Sequence, residues 1–243
     1  MFNMNQIPPS VFSGFVTKNR TILKIELNNK TALSVLDDVY AKPQRVVVIS
    51  GPTKEAITKM KIRKIEIMDT TLRDGEQTSG VSFSASEKLT IAKLLLEELK
   101  VDRIEIASAR VSEGEFQAVK SITSWASNNG YIDAVEVLTF VDNGVSINWM
   151  IEAGAKVQNL LTKGSLNHLT HQLKKTSSQH FKEVSETISL AKEKGIQTNV
   201  YLEDWSNGMR NSKEYVYEFL EFLKTQPVKR VMLPDTLGVI TPE

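Results

Sequence analysis

Arg73 and Asp74 stand side by side in the polar stretch Asp69-Thr70-Thr71-Leu72-Arg73-Asp74-Gly75-Glu76-Gln77, directly after the apolar run Ile65-Glu66-Ile67-Met68. A guanidinium offers two donors to a carboxylate or carbonyl oxygen, and the neighbouring carboxylate is a hard oxygen ligand for a metal ion. A surface ion pair on a solvated turn is the plain alternative. Similar placements recur along the chain. Glu105 lies in Arg103–Ala107, Lys163-Gly164-Ser165-Leu166-Asn167-His168 follows Lys156–Leu161, Glu203-Asp204 follows Thr198–Leu202, and Asp235-Thr236 follows Arg230–Leu233. A solvated rim accounts for any one of these. It accounts poorly for chemistry-bearing residues after five apolar runs.

The elements that must position these residues alternate. Strand-like runs are expected at Ile65–Met68 (buried), Arg103–Ala107, Ala134–Phe140, Lys156–Leu161, Thr198–Leu202 and Arg230–Leu233. Between them apolar residues recur at helical spacing: Leu89, Ala92, Leu96 and Leu99; Phe181, Val184, Ile188 and Ala191, closed by Gly195; Val216, Phe219, Leu220 and Leu223. Helix starts carry capping-box pairs: Ser84 with Glu87, Ser112 with Glu115, Thr176 with Gln179 and, more loosely, Asn211 with Glu214. This rhythm argues an α/β fold with a parallel sheet, and doubly wound and barrel arrangements both fit it. In either, loops after the strands form the ligand face.

Residues 1–60 carry no recognisable chemistry. Thr21–Leu27 and Arg45–Ser50 read as strands, Thr31–Tyr40 as a short helix, and Lys54–Lys64 as a linker. The segment reads as an accessory layer or as an upstream extension, with Met60 just before the first strand of the main domain. The domains are therefore expected to be 1–60, of unknown role, and 61–243.

Composition excludes several classes. The chain has 243 residues, 41% hydrophobic, with Lys+Arg 30 against Asp+Glu 29 and a formal net charge of +1. That balance gives no support for nucleic acid or an anionic membrane surface as partner. No cysteine is present, so neither disulfides nor thiol catalysis is available, which fits a reducing cytoplasm. No apolar run approaches the roughly 20 residues of a membrane span, and the N-terminus lacks the pattern of a signal peptide.

The stretch Asp69-x-Thr71-Leu72-Arg73-Asp74-Gly75-x-Gln77 resembles the signature of the pyruvate carboxyltransferase / hydroxymethylglutaryl-CoA lyase-like family, which includes 2-isopropylmalate, homocitrate and citramalate synthases. The resemblance runs from about Lys64 to the end. Ile104-Glu105-Ile106-Ala107-Ser108-Ala109-Arg110 and Glu203-Asp204-Trp205-Ser206-Asn207-Gly208 resemble the 2-isopropylmalate synthase-like branch. The resemblance implies a (β/α)8 TIM barrel. It implies a metal-assisted Claisen condensation of acetyl-CoA with a 2-oxo acid, as in leucine biosynthesis. The divalent cation would be Mg, Mn or Zn, and the full-length enzyme a cytoplasmic homodimer. By resemblance Asp74 is the metal ligand, Arg73 polarises the keto oxygen, and Glu105 is an acid near the metal. His168 reaches the substrate, Glu203 is a candidate base, and Thr236 holds the substrate carboxylate.

The chain also departs from the family. The family's His-x-His metal pair has no match, the histidines being His168, His171 and His180. His168 and His171 share a helical face without a carboxylate fixed nearby, which disfavours a metal pair, and His180 reads as a surface residue. Ala107-Ser108-Ala109 and Val200-Tyr201-Leu202 replace wording near which substrate size is set. Six βα units are expected where a barrel has eight, so the domain reads as the front of a barrel truncated after about six units. Little or no synthase activity is expected of the chain by itself. Homocitrate synthase, citramalate synthase, a CoA lyase and an inactive fragment are the alternatives.

Overall fold

The computed structural model describes the backbone of residues 15–17 and 20–22, and residues 65–241 in full. The chain divides into two compact units, residues 1–64 and 65–243. In the first unit, Phe15–Thr17 pairs antiparallel with Arg20–Ile22. Thr21 and Ile22 of the expected strand fall in this pair. The rest of that strand, the expected helix Thr31–Tyr40, the strand Arg45–Ser50 and the linker Lys54–Lys64 lie outside the described residues.

In the second unit six strands form one parallel sheet in sequential order. They are β1 (Met68–Asp69), β2 (Arg103–Ser108), β3 (Val135–Phe140), β4 (Val157–Lys163), β5 (Gln197–Glu203) and β6 (Arg230–Met232). The helices are α1 (Ala85–Lys93), α2 (Glu113–Asn129), α3 (Val145–Glu152), α4 (Ser177–Glu193), α5 (Trp205–Asn211) and α6 (Lys213–Lys224). This is the plan of a (β/α)8 barrel carried through six strands. The sheet curls. Glu66, just before β1, lies 2.6 Å from Arg230 at the start of β6 and 3.4 Å from Arg103 at the start of β2.

Alternation along each strand gives the sheet two faces of different chemistry. Ile104, Ile106, Val135 and Val137 pack toward α1–α3 in one core cluster. Leu160, Val200 and Leu202 pack with Val184, Ile188, Val216 and Phe219 of α4 and α6 in another. The intervening residues line the concave face. They include Arg103, Glu105, Glu136, Asn159, Lys163, Asn199, Tyr201, Glu203 and Arg230.

Four local expectations are corrected. Ile65–Met68 is not a buried strand: only Met68–Asp69 pairs, and Ile65 and Ile67 are 85% and 51% exposed. The cause is position, since β1 pairs only with β2 among the described residues. Ser112 accepts the Glu115 N–H, but the Glu115 carboxylate is drawn away to Lys88 Nζ at 2.5 Å. Asn211 closes α5 rather than capping α6. Ser212 stands between them, and its hydroxyl accepts from Leu166 N–H and donates to the Gly208 carbonyl. His180 is buried, 1% exposed, because its place on the inward face of α4 sets it against Phe219 and Phe181.

Candidate functional site

The loop after β1 is built tightly. The Thr70 carbonyl accepts from the backbone N–H of Arg73, Asp74 and Gly75. Asp69 caps it by accepting from the Thr71 N–H and hydroxyl at 2.9 and 3.1 Å. Leu72 plugs the core, fully buried. Beneath it Lys88 Nζ, also buried, donates to the Leu72 carbonyl and sits 2.5 Å from both Glu76 and Glu115. The loop therefore presents Arg73 from a fixed base.

Arg73 Nε donates to Glu105 Oε2 at 2.5 Å, and its Nη1 donates to Asp74 at 2.8 Å. Asn159 donates to the other Glu105 oxygen at 2.7 Å, and Asn199 donates to Asn159 at 2.9 Å. Four side chains from the β1 loop, β2, β4 and β5 thus form one chain of hydrogen bonds, and three of them are fully buried. Burial pushes the Glu105 carboxyl up, against the pull of Arg73 and Asn159. Burial also works against the Arg73 charge. Attraction to Glu105, with help from Asp74, outweighs it and keeps the guanidinium above its ordinary value. Tyr201 is driven well above the usual phenol value by burial and by the Glu105 charge.

Farther along the same face, Lys163 pairs with Glu203, its register partner on β5. The Lys163 backbone is held on both sides: its N–H donates to His180 Nε2 at 3.4 Å and its carbonyl accepts from the Tyr215 hydroxyl at 2.7 Å. Asp204 follows in the left-handed region, φ 61°. It accepts from Ser165 and Asn207, and His168 Nε2 lies 3.5 Å from it. The Thr236 hydroxyl accepts the Asp204 N–H at 3.0 Å. Two glycines permit this packing. A Cβ on Gly208 would meet the Gly164 carbonyl oxygen at 2.0 Å, and one on Gly164 would meet the Leu202 carbonyl oxygen at 2.6 Å.

The structure joins Arg73, Asp74 and Glu105 in one group. It joins His168 and Thr236 through Asp204 in another, with Glu203 beside the second. Asn159, Asn199 and Tyr201 were missed as members. Their signal was faint, a buried amide or phenol inside strands that also carry polar residues such as Gln158 and Thr198 on the other face. As for a metal, Asp74 is 62% exposed and engaged with Arg73. His180 is in the core, and among the described residues no group of three or more His, Asp or Glu is arranged to hold an ion. A hard divalent cation needs about six donors, so the described residues do not fit one. A cleft of about 480 Å³ adjoins Arg73, lined by Gln77, Phe83, Ser108 and Ser112 among others.

A family model described as HMGL-like matches residues 64–243, and one described as a domain of unknown function matches residues 1–78. The chain is 34% identical over 180 residues to the probable 2-isopropylmalate synthase of Ignicoccus hospitalis, covering 74% of this chain and 43% of that protein. It is 34% identical over 179 residues to the (R)-citramalate synthase of Methanocaldococcus jannaschii, covering 74% and 35%. Against the 2-isopropylmalate synthase of Sulfolobus acidocaldarius it is 33% identical over 182 residues, covering 74% and 45%. The matched region spans less than half the length of these relatives. Among solved structures, the HMG-CoA lyase of Bacillus subtilis superposes with a TM-score of 0.54 at 20% identity, covering 74% of this chain and 60% of that one. The Brucella melitensis HMG-CoA lyase gives 0.54 at 21%, covering 73% and 63%. At that identity the likeness is one of fold.

Proposed function

The chain belongs to the HMGL-like family, and from that premise we propose that its barrel is the catalytic part of an acyltransferase of the 2-isopropylmalate synthase type, joining the acetyl group of acetyl-CoA to a 2-oxo acid. The observation that carries this reading is the buried chain Arg73–Glu105–Asn159–Asn199. It fixes a charged guanidinium at the ligand face, where a developing alkoxide needs a preorganised cation. Glu105 and the two amides hold that cation in place. His168 and Thr236 receive the substrate carboxylate. Glu203 takes a proton from the acetyl methyl group, the resulting carbanion attacks the keto carbon, and Arg73 receives the negative charge that collects on its oxygen. Water then cleaves the thioester and releases the thiol. Names of the relatives support the synthase class. They divide between isopropylmalate and citramalate, so the side chain of the 2-oxo acid is a separate question.

A second reading, a 2-oxo acid-binding module without turnover, is favoured by the donor set around Asp74, which does not fit a divalent ion. One experiment separates them. Titration calorimetry with 2-oxo acids should show binding that Arg73→Gln abolishes, and a thiol-release assay with acetyl-CoA should report turnover. Binding without thiol release selects the module. Binding that survives Arg73→Gln sinks both.

A further inference from the structure

We propose that Lys88 is a positioning residue for Arg73: it anchors both flanks of the Arg73 loop to α2 and so sets how tightly the site holds a 2-oxo acid. The inference rests on the 2-oxo acid reading and adds a residue that acts through Arg73. Lys88 is the fourth residue of α1 and is fully buried. Its ammonium has three protons to give and three acceptors around it. The Leu72 carbonyl, one residue before Arg73, lies at 3.3 Å, and the Glu76 carboxylate, three residues after it, at 2.5 Å. The Glu115 carboxylate, in the first turn of α2, is also at 2.5 Å. The other Glu76 oxygen accepts the Phe83 N–H at 2.9 Å, which ties the far end of the loop to the same point.

Stability does not explain this arrangement. A lysine is almost never fully buried unless it is paired, and buried ion pairs are often no more stable than apolar residues of similar volume. A cation in the first turn of a helix also opposes the helix dipole. Glu115 gives up the return half of its capping box with Ser112 to reach Lys88. Three local rules are broken at one point, and such departures gather at functional sites.

What the arrangement secures is Arg73. Glu105 holds the guanidinium from the sheet, and Lys88 holds the backbone that carries it. The cleft beside Arg73 depends on the same contact, since Glu76 and Gln77 wall it on the loop side and Glu115 on the helix side. Without Lys88, Glu76 and Glu115 face each other unneutralised and push the loop off α2, and Arg73 moves with it.

The test is titration calorimetry of the purified chain with pyruvate and with 2-oxoisovalerate, paired with urea midpoints. Lys88→Met should weaken binding of both acids about tenfold, and by the same factor, because Arg73 meets the keto end that they share. Lys88→Met/Glu76→Gln/Glu115→Gln strands no charge, so its urea midpoint should return toward that of the wild type while its affinity stays low. Plain structural support would restore both together. The proposal is overturned if Lys88→Met binds as the wild type does, or if the triple variant recovers affinity along with stability. Should Lys88→Met fail to fold, the triple variant decides. If binding is lost in Arg73→Gln but kept in the triple variant, this inference fails while the 2-oxo acid reading stands. A wild type that binds neither acid overturns both.

Discussion

Glu105 is the residue on which the concave face turns. Its carboxylate is the counter-charge of a guanidinium that is itself mostly buried. Removing one partner of such a pair leaves the other uncompensated, which costs about 3–5 kcal/mol. Glu105→Ala is therefore expected to lower the urea midpoint by that equivalent, and Asn159→Leu, which strips one donor from Glu105, by less. His180 makes a different prediction. Burial holds its imidazole down to about 4, from an ordinary 6.5. Between those values the unfolded chain binds the extra proton, so stability rises with pH across the window and is lost as pH falls through it. The full effect is on the order of 3 kcal/mol. Melting temperatures of the wild type should fall from pH 7 to pH 4 more steeply than those of His180→Phe. At this scale the sequence was readable where a residue type is rare in its setting, as with Arg73-Asp74. It misled at His180, because a histidine on a helix reads the same whether the facing neighbours are solvent or Phe219.

Among elements, the junction of β4, β5 and α5 is the least tolerant. The Gly164 carbonyl occupies the space where any side chain at position 208 would begin. Gly208→Ala must push backbone rather than a flexible side chain, and a loss of about 1–3 kcal/mol is expected in thermal denaturation. The alternation of strands and helices was legible from periodicity, and helix starts from pairs such as Ser84-Glu87 and Thr176-Gln179, which form as reciprocal caps; the sequential strand order followed only from the family resemblance. What periodicity could not give was the separation of α5 from α6 by the single residue Ser212, because that break is made by tertiary bonds to Leu166 and Gly208. Nor could it distinguish the two faces of the sheet. Asn159 and Asn199 look like flaws in apolar strands until strand pairing sets them opposite each other in register.

For the molecule as a whole, the curl of the sheet depends in part on Glu66, which binds arginines from both β2 and β6. These groups are partly exposed, so the contact is worth about 0–1 kcal/mol and is screened by salt. Arg230→Met should lower the melting temperature slightly at low ionic strength and make no difference at 1 M salt. The concave face repeats this scheme. Arg73 rests on Glu105, Arg103 on Glu136, and Lys163 on Glu203. Each charge is answered from a neighbouring strand or loop. A lone substitution at any of these positions strands its partner, whereas a matched exchange of both does not. Descendants of this protein must therefore change in couples along the barrel axis, and drift there should be correspondingly slow.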